Sequence, residues 1–426
     1  QQGYQWARRH IADTGEVGRL FLRTGVLFVA FSVAGASTLT VAAKVGAQEL
    51  PDLGGLEDTL DDLGRQVAEL LPIIGAPPSQ SGPRSIGGDF EVALDWEEEP
   101  GIAFTADVGG YPHGVYWWGS AHDEFDGFNW STSDGGRRRV AAEDPIVMSP
   151  IDGGERVSFE ATIVPDAQWF AATVMSPSVV SQVAHDVRLS RIDRRGDVGF
   201  VELDDVRDDV DPYQVRANVR DYSGSSLTLT ANELRAAGRG YPEWVLDRYL
   251  QGRGPDSPAS GERTRAKAAE LMRAYENNPY DMALALQDEL AAMEYRTEMS
   301  TVCGDGQNLP ECVLEHQRGF CQLYASAMVM VLREAGVPSR LIRGFLPGER
   351  QDDGSWVVEN AAYHAWVEVF FPEYGWVRFD PTPGQVQDRY DLAQTSLPEG
   401  AEAVSYTHLT LPTMRLRCRA RGSPAQ

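Results

Sequence analysis

Three residues in the C-terminal half have the types and settings that nucleophilic acyl chemistry requires: Cys321, His364 and Asp380. A thiol attacks as its thiolate, and the start of a helix favours that anion through unpaired N–H groups and the helix dipole. Arg318-Gly319-Phe320-Cys321 sets the cysteine at such a start, with Leu323, Ala327, Met328, Val331 and Leu332 following at helical spacing. Gly319 lets backbone approach closely just before the sulfur. The thiol then needs a histidine as base and a third group to fix its tautomer. His364 lies in an alternating stretch, with Trp366 and Glu368 on its own face and Ala365, Val367, Val369 and Phe371 on the other. The turn Pro372-Glu373-Tyr374-Gly375 leads into a second strand ending at Asp380, so a β-hairpin can bring Asp380 near His364. Pro381 then ends that strand. Alone, each residue has a plainer reading, since most cysteines at helix starts and most strand histidines are structural. The joint pattern is what points to catalysis.

The elements that must hold these residues divide the chain. From Tyr241 onward the pattern is helical, at 263–275 and 281–293, with Asn278-Pro279 as the break and a third helix at 321–335. Strands follow at 339–345, 356–358, 363–371 and 376–380, so 241–384 reads as an α+β domain with its nucleophile on a helix and its partners on strands. Upstream, 89–235 reads as short strands broken by turn residues, at 90–96, 115–118, 157–164, 187–192, 214–220 and 226–230. That predicts a separate all-β, sandwich-like domain. Its segment YWWGSAHDEFDGFNW (116–130) is dense in aromatics and is expected to form core and tight turn, with carbohydrate stacking as the functional alternative.

Residues 24–43 carry no charge, follow Arg8, Arg9, Arg19 and Arg23, and are about long enough to span a bilayer. The positive-inside rule puts 1–23 in the cytoplasm, as the remnant of a longer N-terminal region, and everything after Lys44 outside. A cleaved signal peptide is the competing reading, and it also exports the chain. A short apolar stripe from Leu53 to Leu70 predicts a juxtamembrane helix, followed by a Pro/Gly/Ser linker, so 44–88 connects the span to the folded part. Beyond 384, 385–403 reads as an acidic linker. Residues 404–413 (VSYTHLTLPT) resemble a translated sequencing adapter. On that reading 404–426 is a non-native tail, and His408 and Cys418 lie outside the fold.

The segments RGFCQLYASAMVMVLREAGVPSRLIRGF and YHAWVEVFFPEYGWVRFDPTPG closely resemble the transglutaminase-like superfamily, and within it the bacterial membrane-anchored TgpA-type branch. The resemblance implies a papain-like core with Cys321 as nucleophile, His364 as general base and acid, and Asp380 as the orienting carboxylate. It implies acyl transfer from glutamine or peptide amides through a thioester, resolved by an amine or by water: cross-linking, deamidation or proteolysis of protein substrates. The Cys321 backbone N–H is expected in the oxyanion hole. Tyr295 is a candidate second donor, with core packing as its plainer role, while Gln317 and Gln322 are expected at the surface. The resemblance also favours a retained membrane helix, with the catalytic domain on the extracytoplasmic face of the cell membrane. It suggests a membrane-associated AAA-type ATPase as partner.

The remaining signals narrow the alternatives. A net charge of −25 argues against a nucleic-acid partner. No phosphate-binding loop, dinucleotide fingerprint or calcium loop occurs, so no cofactor is expected. Cys303, Cys312, His316 and Cys321 could be zinc ligands, but their spacing misses the tight pairs of structural zinc sites. A Cys303–Cys312 disulfide, permitted outside the cytoplasm, is the expected arrangement and leaves Cys321 free. A catalytically silent adhesion or scaffold module on the same fold is the alternative from outside enzymology.

Overall fold

The computed structural model describes residues 86–384, apart from short stretches at 97–99, 110–113, 147–155, 167–171, 194–196, 205–210, 220–228 and 305. The membrane span, juxtamembrane helix and linker expected at 24–88 fall almost wholly outside the described residues, as do the acidic linker and tail. Among the described residues no helix is long and apolar enough to cross a membrane.

Eleven strands come first: β1 (Phe90–Glu91), β2 (Ile102–Asp107), β3 (Trp117–His122), β4 (Glu124–Phe125), β5 (Asn129–Ser131) and β6 (Arg137–Val140), then β7 (Val157–Pro165), β8 (Val180–Val183), β9 (Val187–Arg191), β10 (Val198–Leu203) and β11 (Tyr213–Val219). The helices α1 (Ala231–Ala236), α2 (Glu243–Tyr249), α3 (Glu262–Ala274) and α4 (Pro279–Ala291) follow. Next come β12 (Glu294–Tyr295), α5 (Leu309–His316), β13 (Arg318–Gly319) and α6 (Cys321–Glu334). The chain then returns to strands: β14 (Ser339–Phe345), β15 (Glu349–Arg350), β16 (Trp356–Glu359), β17 (Tyr363–Phe371) and β18 (Gly375–Phe379).

Local chemistry explains the helix ends. Asn278 caps α4, its side chain accepting from the N–H groups of Tyr280 and Asp281, and Pro279 takes the first helical position, where a missing N–H costs nothing. Thr230 and Glu233 form a capping box on α1. The strand expected at 226–230 is therefore corrected at its described end: Thr230 begins a helix.

Strand pairing crosses the boundary expected between 235 and 241. A seven-stranded antiparallel sheet runs β18-β17-β14-β3-β10-β9-β6, and a six-stranded one runs β15-β16-β2-β7-β11-β8. In the first, β14 pairs with β17 on one side and with β3 on the other. In the second, β16 from the C-terminal part pairs with β2. The separate all-β domain is thereby corrected: the described residues belong to one compact unit. Alternation of apolar residues identifies strands but not their partners, which is why the boundary was misplaced.

Two cores flank the seven-stranded sheet. One joins the helices to Leu341, Ala365, Val367, Val369, Phe371, Val377 and Phe379. The other lies between the two sheets and takes Ile342, Trp366 and Phe370 from the opposite face. Strand β17 is thus buried on both sides, so its His364 face is not a solvent face. Helix α6 is buried along nearly its whole length, from Cys321 to Arg333. The aromatics of 116–130 are core: Trp117, Trp118 and Trp130 are at most 2% exposed, which leaves none of them for carbohydrate stacking. Trp130 donates its indole N–H to Ser326 of α6, so this early segment braces the nucleophile helix.

Candidate active site

Cys321 is the first residue of α6, after Phe320 in extended conformation as N-cap, and no side chain caps that end. The first-turn N–H groups and dipole are thus not neutralised by a capping side chain next to the sulfur. Gly319 is needed for the approach: a Cβ there would stand 3.2 Å from Leu323 Cβ, in the same helix's first turn. Cys321 is buried and is the free thiol among the described cysteines.

His364 and Asp380 come together as the hairpin reading anticipates. Strands β17 and β18 pair in antiparallel register, with Val367 opposite Phe379, which sets His364 level with the residues just past the end of β18. The His364 Nε2 lies 2.8 Å from Asp380 Oδ2, both side chains buried. That contact leaves Nδ1 as the free ring nitrogen, and Cys321 lies near enough to act electrostatically on the ring. The carboxylate and imidazole are thus directly paired, with the thiol as the ring's other polar neighbour.

Electrostatics follow the geometry. Burial works against a charged imidazole, but the Asp380 carboxylate, its bond to the ring and the neighbouring Cys321 prevail and raise the His364 pKa to about 10. Burial likewise opposes an ionised Asp380, yet the His364 charge and the bonds from His364 and Thr382 hold it below the usual carboxylate range. Both shifts favour the charged forms, imidazolium beside carboxylate.

Several neighbours of the site carried no sequence signal. The Tyr116 hydroxyl donates to Asp380 Oδ2 at 3.0 Å across a separation of 264 residues. Thr382 N–H donates to Oδ1 at 3.0 Å. The Asp380 N–H donates to Gln287 Oε1 of α4 at 2.9 Å. Trp96 stacks on Tyr363, just before His364, with centroids 5.4 Å apart, and leans on Phe320, just before Cys321, at 6.0 Å. Only the Tyr-Trp-Trp run of 116–118 stood out in the sequence, and nothing in it names Asp380 as a partner.

The other residues singled out fall as follows. Cys303 and Cys312 are joined in a disulfide, which removes both from any zinc site. Among the described residues no group of three or more histidine, cysteine or acidic side chains could hold a metal. Tyr295 is 46% exposed, so core packing is not its role; its strand pairs with β13, opposite Gly319. Gln322 is buried rather than at the surface, on α6 beside the nucleophile, whereas Gln317 is exposed at the end of α5.

Residues 266–381 match the transglutaminase-like superfamily model. That match identifies 266–381, which carries the helix-borne thiol and the strand-borne histidine and aspartate, as a transglutaminase-like superfamily domain. The chain is 39% identical over 146 residues to the uncharacterized protein YebA of Bacillus subtilis, covering 32% of this chain and 19% of that protein. It is 31% identical over 162 residues to a protein-glutamine gamma-glutamyltransferase of Pseudomonas aeruginosa, covering 38% of this chain and 23% of that one. The matches thus span about a fifth of the length of these relatives. The crystal structure of the periplasmic domain of TgpA from Pseudomonas aeruginosa superposes with a TM-score of 0.51 at 23% identity, over 70% of this chain and 93% of that one, so the fold is shared.

Proposed function

We propose that this chain is a thiol acyltransferase or hydrolase acting on the amide groups of glutamine side chains or peptides. On this reading it is anchored in the membrane with its catalytic domain on the extracytoplasmic side. The observation that carries the activity is the buried His364–Asp380 pair at 2.8 Å beside the free, helix-starting thiol of Cys321. Attack of Cys321 Sγ on the amide carbon, as the thiolate whose proton has passed to His364, forms a C–S bond and a tetrahedral oxyanion, which the Cys321 backbone N–H at the start of α6 would stabilise. The C–N bond then breaks as the His364 imidazolium passes its proton to the departing ammonia or amine, leaving a thioester. Neutral His364 next takes a proton from an incoming amine or water, whose attack releases the acyl group and restores the starting ion pair. Asp380 stays ionised throughout and holds the ring in register.

The Pseudomonas aeruginosa relative is a protein-glutamine gamma-glutamyltransferase, which supports glutamine as acyl donor. Support for the location comes from the Cys303–Cys312 disulfide, a bond that persists in oxidising compartments, and from the uncharged stretch at 24–43. The test incubates the full chain with a glutamine-bearing peptide and a labelled primary amine, with Cys321→Ala as control. Amine incorporation, ammonia release or chain cleavage, each lost in the control, is the expected result. No product by any route, while Cys321 still reacts with iodoacetamide, would overturn the reading in favour of a non-catalytic module.

A further inference from the structure

Asp380 Oδ2 receives two donors at once, the His364 imidazole at 2.8 Å and the Tyr116 hydroxyl at 3.0 Å. Oδ1 is taken by the Thr382 N–H, and the Asp380 N–H is tied to Gln287. The carboxylate therefore cannot rotate without breaking bonds that no water is positioned to replace, because Asp380 is only 4% exposed. The phenol itself is held as firmly. Its ring meets Trp366 edge-on at 5.3 Å and His364 at 6.2 Å, while the Arg378 guanidinium lies 3.9 Å from its centroid. Tyr116 stands immediately before β3, and β3 comes this close because Gly344 of β14 has no side chain: a Cβ there would lie 1.8 Å from the Trp117 carbonyl oxygen. Gly344 is also the residue directly opposite His364. The close approach of the two strands and the catalytic histidine thus share one level of the sheet.

We propose that Tyr116, lying 150 residues before the matched superfamily segment, is a positioning residue of the Cys321–His364–Asp380 series. It acts through Asp380, fixing the oxygen that His364 uses and sharing that oxygen's negative charge. Burial and the neighbouring Asp380 charge keep the phenol protonated, so it serves as a donor and not as an acid or base. By drawing on the carboxylate it moderates the hold of Asp380 on the imidazolium proton, which must leave for the departing amine. The ionisable groups around the pair are Cys321, Tyr363, Arg378 and, next to Tyr363, Arg343.

The test is Tyr116→Phe, which keeps the ring contacts and removes the hydroxyl. Alkylation of Cys321 by iodoacetamide, followed from pH 5 to 11 on the full chain, reports the titration of His364 without any substrate. The alkaline inflection should move up by about half a unit to one unit, because a carboxylate relieved of one donor attracts the proton more strongly. In a His364→Gln background the same change should leave the profile unaltered, as a residue acting through Asp380 and His364 requires. The kcat for whichever amide substrate is turned over should fall about tenfold with KM unchanged. An unmoved inflection in Tyr116→Phe, or an equal change in the His364→Gln background, would refute the proposal. The kcat arm rests on the acyl-transfer reading and the alkylation arm does not. A shifted inflection without amide turnover would therefore count against that reading alone.

Discussion

Strand β17 carries two buried charge clusters four residues apart on one face, and they are put to opposite uses. At Glu368, the Arg340 guanidinium reaches the carboxylate at 2.7 Å on one side and Asp197 at 2.9 Å on the other. The Tyr249 hydroxyl closes the cluster on Asp197, and the Trp376 ring lies 4.1 Å from the guanidinium carbon. At His364, the ring is flanked by Asp380 and by the Cys321 sulfur. Burial does not separate the two, since Arg340 is 1% and His364 3% exposed. Proton mobility does: a guanidinium never gives up its proton in a protein, whereas an imidazole can. The first cluster is closed at every end by groups that only hold. The second ends in a free thiol. A buried ion pair becomes a candidate machine only where one member can release a proton and its neighbour can use the change.

The comparison can be broken most severely at the second cluster. Cys321→Ala should abolish both alkylation at this position and amide turnover, and His364→Ala should lower kcat about a thousandfold or more, with circular dichroism unchanged. An unfolded His364→Ala protein would show that the two clusters are both structural. Next in size, Arg340→Met should destabilise the fold by about 3–5 kcal/mol in urea melts, because it strands Asp197 and Glu368 as unpaired buried charges. Folded protein recovered from that variant should retain its Cys321 alkylation profile. Smaller again, replacing Cys303 and Cys312 together by Ser opens a covalent link nine residues apart in sequence and should cost about 2–3 kcal/mol, again without touching either cluster's chemistry.

A further test is a dependence on pH. His364 has its folded pKa raised above the ordinary value near 6.5, so its pairing contributes fully below about pH 6.5 and is lost as pH rises through about 10. Asp380 is lowered, so its part is present above about pH 4 and is lost as acid protonates it. The stability gap between wild type and His364→Gln should therefore be largest near pH 5–6.5 and close by pH 10. The Arg340 cluster should contribute equally at both values. A gap that stays constant to pH 10 would mean the imidazole is neutral in the folded protein.

Much of the second cluster was legible in the sequence because its parts are local. Gly319-Phe320-Cys321 announces a helix start, Asn278-Pro279 a cap, and the Pro372–Gly375 turn joins two alternating strands into a hairpin that needs no distant partner. The Cys303–Cys312 link was legible for the same reason, spanning one short polar loop. What stayed hidden is non-local. The contact of Tyr116 with Asp380, the clasp of Arg340 on Asp197, and the pairing of β3 with β14 each join residues more than a hundred positions apart. The sequence places a strand at 115–118, within what proves to be the approach to β3 at 117–122, and nothing in it says that its partner begins at 339. The expected domain boundary failed at that point, because an early strand completes a sheet begun much later in the chain.

That pairing also sets the order of assembly. During synthesis β3 emerges more than two hundred residues before β14, the strand it must pair with, and β14 precedes the hairpin that carries His364 and Asp380. Pairings of such long range are slow to form, since loop closure must be paid for before the contacts return anything. The nucleophile helix can be made and can pack on its helical neighbours while the histidine and its carboxylate are still missing. On the proposed acyl-transfer reading, such a chain carries its thiol for a long interval before His364 and Asp380 are made, and its reactivity would come with the last strands to fold.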